Sequence, residues 1–244
     1  MREHRHQQGF SVFATGVTLT ILLAIVAAQP ASSPTADPNV DSEGKPLPGT
    51  TIPCAPIAEK RQDLGCYVAV RQRLGVLPQG APLFWQLDAF PTQAAAEAAK
   101  GPLGTVAEAF GRTWLFTLAP AEWRAAPGAE HVATVGPLPL GRMAPEYTAV
   151  YLATTFRPGQ SSFVHEHSGP EAWFILSGEQ CLETPDGPLW GRAGQGVTVR
   201  GDLPMVVQAT GQEIRRTFAL ILHDAAKPSS SRVEHWTPRG LCRK

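Results

Sequence analysis

Segment 159–178 contains three residues whose types and spacing together suit the binding of a metal ion. His165 and His167 are two positions apart, and Glu171 follows four residues after the second histidine. Residues i and i+2 of a β-strand point to the same face, so both imidazoles would project side by side. The Gly-Pro pair in between predicts a turn that brings the carboxylate back toward them. Two histidines and a carboxylate converging on one point indicate a mononuclear metal site.

The side chains predicted around this site are mostly apolar. Trp173 and Ile175 share the strand face of the glutamate, and Val207 shares its face with Met205. An apolar floor of this kind suits a small organic ligand. His223, at the end of the last predicted strand, is a weak candidate for a catalytic acid or base, because a lone histidine at a strand end more often faces solvent.

Composition limits the classes of protein that the chain can represent. Of the 244 residues, 43% are hydrophobic and 17% are charged, which is typical of a globular protein with a buried core. The formal net charge is zero, which gives no electrostatic reason to expect a nucleic-acid partner. The 23 glycines and 23 prolines favour frequent turns and therefore many short strands.

The N-terminal sequence predicts a targeting segment. Arg2 and Arg5 precede an apolar stretch over 11–28 that ends in small residues. We interpret 1–28 as a secretory signal peptide, with an uncleaved N-terminal membrane anchor as the alternative. Either interpretation predicts an exported protein, periplasmic or secreted, that contacts a membrane only through this segment. Residues 29–53 are rich in Pro, Ser and Thr and predict a disordered linker.

All four cysteines follow the targeting segment, so disulfide bonds are expected in an oxidising compartment. Four cysteines allow three connectivities. We favour the pairs Cys54–Cys66 and Cys181–Cys242, the second of which would tie back a C-terminal tail comprising residues 228–244.

The remaining chain is predicted to be rich in strands. Residues 54–140 contain several apolar, β-branched runs and one helix, which begins after Thr92 as N-cap and stops before Gly101. The aromatic residues of this region are interpreted as core rather than as a ligand cleft. After residue 147, short runs alternate with Gly, Pro and Asp turns, which predicts an antiparallel sandwich or barrel.

The spacing G-x5-H-x-H-x3-E-x6-G is fulfilled by five residues of this chain: Gly159, His165, His167, Glu171 and Gly178. With this pattern the sequence resembles the cupin family in its first motif. The resemblance covers about residues 145–225 and weakens in the second half.

The family's second motif falls on residues 194–209, where its length is kept and most of its identities are lost. Met205 occupies the position of the family's fourth metal ligand, a histidine, and Ala209 occupies that of an asparagine. The thioether of Met205 is a poor ligand for hard cations and a reasonable one for copper. It would either coordinate a soft metal at a fourth position or only wall off that position.

The resemblance implies a mainly β protein with a C-terminal cupin-type antiparallel β-barrel (a double-stranded β-helix, or jelly roll) over 141–227. The preceding 54–140 would be either a β-rich α+β extension carrying one short helix or a degenerate cupin half. The barrel would hold a divalent ion (Fe, Zn, Mn or Cu) through His165, His167 and Glu171.

Two functions follow from this resemblance. The first is a metal-dependent enzyme, an oxygenase or isomerase, acting on a small organic molecule. The second is a non-catalytic binding module for a small ligand or a metal ion. An enzyme needs a reactive group beyond the metal ligands, and His223 is the single weak candidate. A homodimer is a further expectation.

Overall fold

The computed structural model describes residues 54–124, 126–141 and 143–242. The predicted signal peptide at 1–28 and linker at 29–53 lie outside the described residues. Within the described ranges, no helix is both long enough and apolar enough to cross a membrane.

The described residues form mainly β-strands. Strands β1 to β6 are Cys54–Pro56, Gly65–Gly75, Phe84–Phe90, Gly104–Ala109, Arg112–Ala119 and Glu130–Val135. Strands β7 to β11 are Tyr147–Phe156, His165–Glu166, Glu171–Ser177, Glu179–Thr184 and Gly187–Arg192. Strands β12 to β15 are Gly196–Val199, Val206–Thr210, Arg215–Asp224 and Ser231–Arg232. The α-helix α1 is Gln93–Ala99, and a 3-10 turn spans Ile57–Glu59.

Helix α1 forms where its capping signals predicted it. The Thr92 hydroxyl accepts a hydrogen bond from the Ala95 backbone N–H at 3.2 Å, which satisfies one of the free donors of the first turn. Alanine fills most of the helix, and the helix ends before Gly101. The prediction of a single short helix is confirmed for the described residues.

The strands form one large sheet and three smaller ones. The large sheet has the order β1-β2-β7-β14-β9-β12, and only its β1–β2 pair is parallel. The order β11-β10-β13 makes a three-stranded sheet, β15-β8 a two-stranded one and β4-β5-β3-β6 a four-stranded one. The predicted mainly β, antiparallel architecture is confirmed.

The central strands β7 and β14 of the large sheet are buried on both faces, which explains why they are apolar at successive positions. Tyr151 and Phe218 point to one face, where they pack with Trp85, Trp114 and Phe116 of the four-stranded sheet. These three aromatic residues are at most 1% exposed, so the interpretation of the aromatics as core is confirmed for them. Burial of each such ring stabilises the fold by about 2–3 kcal/mol.

The other face of the large sheet forms the interior of the barrel. Its apolar cluster joins residues of β7, β9 and β14 to residues near β13, and the members include Leu152, Trp173, Ile221, Met205 and Val207. The sheet therefore separates two cores, one shared with the four-stranded sheet and one that surrounds the candidate site.

The structure contains two disulfide bonds, Cys54–Cys66 and Cys181–Cys242, the pairs favoured from the sequence. The first links β1 to β2, and the second ties the C-terminal segment to β10. The buried carboxylate of Glu183 also holds this segment, because it accepts hydrogen bonds from the backbone N–H groups of Arg239 and Leu241.

Strand β8 is short and covers only His165–Glu166, although the Ser162 backbone N–H also bonds to the Val207 carbonyl at 2.8 Å. Strand β11 was not predicted, because its sequence GPLWGR contains a proline and two glycines. It pairs with β10 as the second arm of a hairpin.

Candidate metal centre

Backbone hydrogen bonds fix the segment that carries the two histidines. His165 exchanges two hydrogen bonds with Met205, at 3.0 and 2.8 Å, and β15 pairs with β8 on its other side. The carbonyl of His167 accepts a hydrogen bond from the Asp202 backbone N–H at 2.7 Å. Both histidines are therefore held from more than one direction, as a preformed site requires.

Gly169 allows the chain to turn from the histidines to the glutamate. A Cβ atom at this position would lie 2.1 Å from the Leu222 carbonyl oxygen, and one at Gly201 would lie 2.6 Å from the Gly169 Cα. Only glycine permits this approach of three backbone segments. The turn then delivers Glu171 to the start of β9, where it is paired with Ile221 of β14.

The three predicted ligands come together in the structure. His165, His167 and Glu171 each offer one ligand atom, and these atoms lie within 4.8 Å of one another. The Nε2 atom of His167 is 3.4 Å from Oε2 of Glu171. Two donors bound to one ion at about 2.1 Å are separated by roughly 3–4 Å, so this pair already has the spacing of metal ligands. All three side chains are buried, with exposures of 7%, 1% and 3%.

Main-chain carbonyls orient both imidazole rings. Nδ1 of His165 lies 2.8 Å from the Phe163 carbonyl oxygen, and Nδ1 of His167 is hydrogen-bonded to the Ser229 carbonyl. Because a carbonyl only accepts, each Nδ1 carries the proton and donates. Each Nε2 is left as the lone-pair nitrogen in the neutral ring, which is the arrangement that orients histidine for a metal.

Two buried polar atoms of these side chains indicate the kind of ligand that the cluster would suit. Oε1 of Glu171 accepts a hydrogen bond from the Trp173 indole at 3.0 Å. Its Oε2 and the Nε2 of His167 lie 3.4 Å apart, and both are buried without a hydrogen-bond partner among the described residues. A buried polar atom without a partner costs about 1–3 kcal/mol, and a bound cation would remove this cost for both atoms. The residues present therefore fit a divalent metal ion.

The two imidazoles have opposite pKa shifts. Burial, assisted by the neighbouring His167, lowers the pKa of His165 to about 4. Burial alone would also lower the pKa of His167, but the charge of Glu171 and the Ser229 carbonyl raise it above its ordinary value. Near neutral pH, His165 in the metal-free protein is thus neutral, whereas the charge of Glu171 favours the protonated form of His167.

The residue predicted at the fourth metal position, Met205, and the predicted pocket residues have different environments in the structure. Met205 is paired directly opposite His165, which puts both side chains on one face, but it is fully buried in the apolar cluster of the barrel. Trp173 and Val207 line the cavity beside the histidines. Ile175 lies away from the cavity lining, and its side chain packs over Gly191.

His223 lies at the far end of β14, two residues beyond Ile221 on the same face. Its Nδ1 is 2.8 Å from the Asp224 carbonyl, and its Nε2 is buried without a partner. Burial, with a contribution from the charge of Arg71, lowers its pKa. It does not line the cavity that the metal ligands share, so its catalytic role stays a prediction.

A cavity of about 320 Å³ opens beside the three ligands. Its walls are mostly apolar and come from the inner face of the large sheet: Val68, Val150, Leu152, Phe156, Ala219 and Ile221. This volume is near the lower end of the range for small-molecule pockets, about 300–1,000 Å³. The cavity accordingly fits a small organic molecule that would approach the ligands along an apolar surface.

Arg215 lines the same cavity and was missed from the sequence. It is 2% exposed, and its guanidinium donates to Gln180 Oε1 at 2.8 Å and to Thr154 Oγ1 at 2.7 Å. Burial lowers its pKa to about 9. The sequence contains a pattern that could have predicted a buried arginine. Arg215 and Arg216 are neighbours on a strand, and alternation requires one of them to face inward.

Both ends of the described chain also contribute to the cavity. The disulfide-bonded Cys54 and Cys66, and Ser229 with Ser230 before β15, are among its lining residues. The sequence prediction confined the site to the barrel strands, because the pairing of distant segments is not visible in a local pattern. No repeat or motif marks these positions.

The barrel with two histidines and a glutamate at the cavity agrees with the predicted architecture. The fold is a cupin-type β-barrel. No protein-family model matches the sequence, and no curated protein matches it.

Several solved structures that are similar to part of the chain are described as cupin or double-stranded β-helix proteins. One is an uncharacterised conserved protein from Klebsiella pneumoniae, 19% identical, with 35% of this chain and 70% of that chain covered and a TM-score of 0.31. A cupin superfamily protein from Desulfitobacterium hafniense is 18% identical over 31% and 68% of the two chains, with a TM-score of 0.29. A Cupin 2 conserved barrel domain protein from Salinispora arenicola is 24% identical over 33% and 65%, with a TM-score of 0.28.

Proposed function

We propose that the protein binds one divalent metal ion through His165, His167 and Glu171, and that the ion faces a small organic molecule in the adjacent cavity. One observation carries this proposal. Both imidazoles donate Nδ1–H to backbone carbonyls, while Nε2 of His167 and Oε2 of Glu171 are buried without partners. These two atoms form no hydrogen bond with the described residues, and their lone pairs are placed to bind a cation.

The donor set limits the metal and its chemistry. Two nitrogens and one oxygen suit Fe, Zn, Mn or Cu, and three protein ligands leave coordination positions open. A bound ion would supply Lewis acidity or an activated water molecule. Binding requires the neutral form of His167, and Glu171 raises the pKa of His167, so metal binding should weaken as the pH falls.

Capture of a small molecule is the function that these surroundings support best. Apart from the ligands, the polar cavity residues in the described ranges are serines, Thr154 and two arginines, Arg71 and Arg215, none of which is an efficient proton carrier at neutral pH. Catalysis as an oxygenase or isomerase is the second candidate. His223 favours it, because its unpartnered Nε2 lies on the inner strand face.

Elemental analysis of the purified protein tests the metal site. After incubation with each candidate metal and extensive dialysis, the wild type should retain about one ion per chain. His165→Ala and Glu171→Gln should each reduce retention at least tenfold. Glu166→Gln is the matched control, because Glu166 lies between the histidines on the opposite strand face. Equal retention by the wild type and both site variants would refute the proposal.

We also infer that the protein is exported into an oxidising compartment. The two disulfides support this inference, together with the predicted signal peptide at 1–28. Intact-mass measurement of the protein isolated from its native cell should find both disulfides formed. Reduced cysteines in freshly quenched samples would contradict export.

A further inference from the structure

Arg215 is a buried cation that forms no direct ion pair with any residue that the structure describes. Its two hydrogen-bond partners, the Gln180 amide oxygen and the Thr154 hydroxyl, are neutral, and it forms no salt bridge with any described residue. The ring of Phe156 covers the guanidinium at 4.4 Å. Buried charges are normally paired, because an isolated one is costly.

The donors around Arg215 outnumber the acceptors. Two of the five guanidinium N–H groups are accounted for by hydrogen bonds, and Nε is buried without a partner. Because arginine only donates, Gln180 must turn its oxygen to Arg215, and its Nε2 is likewise buried without a partner. Adjacent donors without acceptors are complementary to an anion.

The partners of the guanidinium are themselves fixed. Thr154 donates its hydroxyl proton to the Thr217 carbonyl at 3.3 Å, which leaves its oxygen free to accept from Arg215. The hydroxyl of Thr217 lies 3.4 Å from Gln180 Oε1. Arg215 is thus held in place on the cavity wall before any ligand binds, which lowers the entropic cost of recognition.

Arg215 and the metal ligands line one cavity, separated by apolar side chains. The charge of Glu171 acts on Arg215 through space, although the two form no salt bridge. Between them, Leu152, Trp173 and Ala219 contribute apolar surface. A ligand that fills this space needs an anionic group at one end, an apolar body, and a polar group at the metal end.

We propose that the cavity binds a small organic carboxylate whose anionic group pairs with Arg215 and whose apolar body lies along the wall toward the His165–His167–Glu171 site. The planar guanidinium fork matches one carboxylate, and its single charge matches a monoanion. The proposal names the ligand class for the function proposed above, and it rests on that function only for the metal-facing end of the ligand.

Calorimetric titration of chelator-treated, metal-free protein tests the pairing directly. The probes are propanoate, hexanoate, phenylacetate and 3-phenylpropanoate, each compared with its primary amide, in buffer without phosphate or acetate. At least one acid should bind ten or more times tighter than its amide, because the amide lacks the charge. Equal binding of acids and amides, or no binding of any acid, would overturn the proposal.

Substitution of Arg215 then tests whether this residue causes the preference for the acid over its amide. Arg215→Gln should abolish the preference for the acid, and Arg216→Gln is the matched control, since Arg216 is the exposed neighbour on the same strand. Arg215→Lys keeps the charge and should retain part of the preference. If Arg215→Gln does not fold, the acid–amide comparison on the wild type decides. A preference that survives in folded Arg215→Gln would refute the assignment.

The preference for the acid over its amide is expected not to depend on the metal site. In Glu171→Gln the acid preference should persist, because Arg215 is a separate subsite. Loss of the preference in that variant, with Arg215 intact, would mean that the acid binds at the metal ligands, and would overturn the proposal. Failure of the wild type to retain metal while the Arg215-dependent preference stands would refute the metal proposal alone.

Discussion

The side chains of His167 and Glu171 face each other across the turn at residues 168–170, with Nε2 3.4 Å from Oε2 and neither atom hydrogen-bonded. Both are almost completely buried. Against the effect of burial, the charge of Glu171 raises the pKa of His167. A divalent ion needs the neutral imidazole, so metal binding at this pair is coupled to pH.

The first prediction concerns this pair. Glu171→Gln removes the charge that raises the pKa of His167, so burial should prevail and the pKa should fall below its ordinary value. NMR titration of the histidine Cε1–H signals in metal-free protein measures the change. Glu166→Gln should preserve most of the raised value, because Glu166 is the smallest contributor to it. An unchanged titration of His167 in Glu171→Gln would show that the pair is not coupled.

The second prediction concerns acid stability. Because burial lowers the pKa of His165 to about 4, the unfolded chain takes up a proton below about pH 6.5 while the folded protein does not. The free energy of unfolding should therefore fall as the pH drops from about 6.5 to 4, by roughly 3 kcal/mol from this residue. His167 contributes to stability in a different pH range. The contribution from its raised pKa is fully present below about pH 6.5 and is lost as the pH rises through the pKa of the folded state.

Urea unfolding of metal-free protein across this pH range provides the measurement. His165→Gln cannot bind the proton, so its stability should decline less between pH 6.5 and 4 than that of the wild type. The difference between the two curves isolates His165 from carboxylates that also protonate at acidic pH. Parallel curves would contradict the depressed pKa.

Local patterns predicted the cluster of His165, His167 and Glu171 because its parts lie within one short segment. Alternation put His165 and His167 on one face, and the Gly169 turn returned Glu171 to them. The cavity could not be predicted in the same way, because its walls come from β2, β7 and β14 and from Ser229, which are far apart in sequence. Alternation along β14 predicts that either Arg215 or Arg216 faces inward. The local sequence does not show that the barrel encloses this side chain.

The third prediction concerns the Gly169 turn. Gly169→Ala places a Cβ 2.1 Å from the Leu222 carbonyl, so the turn must shift and the free energy of unfolding should fall by about 1–3 kcal/mol. Metal retention should fall as well, because the same turn positions Glu171. Gly101→Ala is the control, since a Cβ there meets nothing within 4 Å. Equal stability of the two variants would show that the close approach is not required.

The fourth prediction concerns Met205. Its side chain packs in the apolar cluster of the barrel, so Met205→Leu should keep the retention of Zn and Mn and cost less than about 1.5 kcal/mol in stability. Met205→His would add a third nitrogen, and so a fourth protein ligand, at the position paired with His165, and should strengthen retention of Zn at least tenfold. Selective loss of copper in Met205→Leu would instead identify the thioether as a ligand.

The last prediction concerns the C-terminal segment. The Cys181–Cys242 bond closes a loop with a sequence separation of 61, so the chain-entropy model predicts that Cys181→Ser with Cys242→Ser lowers the free energy of unfolding by about 4 kcal/mol. The Cys54–Cys66 bond spans a separation of 12, and its double serine variant should lose about 3 kcal/mol.

Glu183 still binds the backbone N–H groups of Arg239 and Leu241 without the disulfide, so the segment should remain docked in the folded variant. Urea unfolding measures both losses, and hydrogen exchange of the Leu241 amide measures docking. A loss below about 1 kcal/mol for the longer loop, or rapid exchange of that amide in the wild type, would contradict this account.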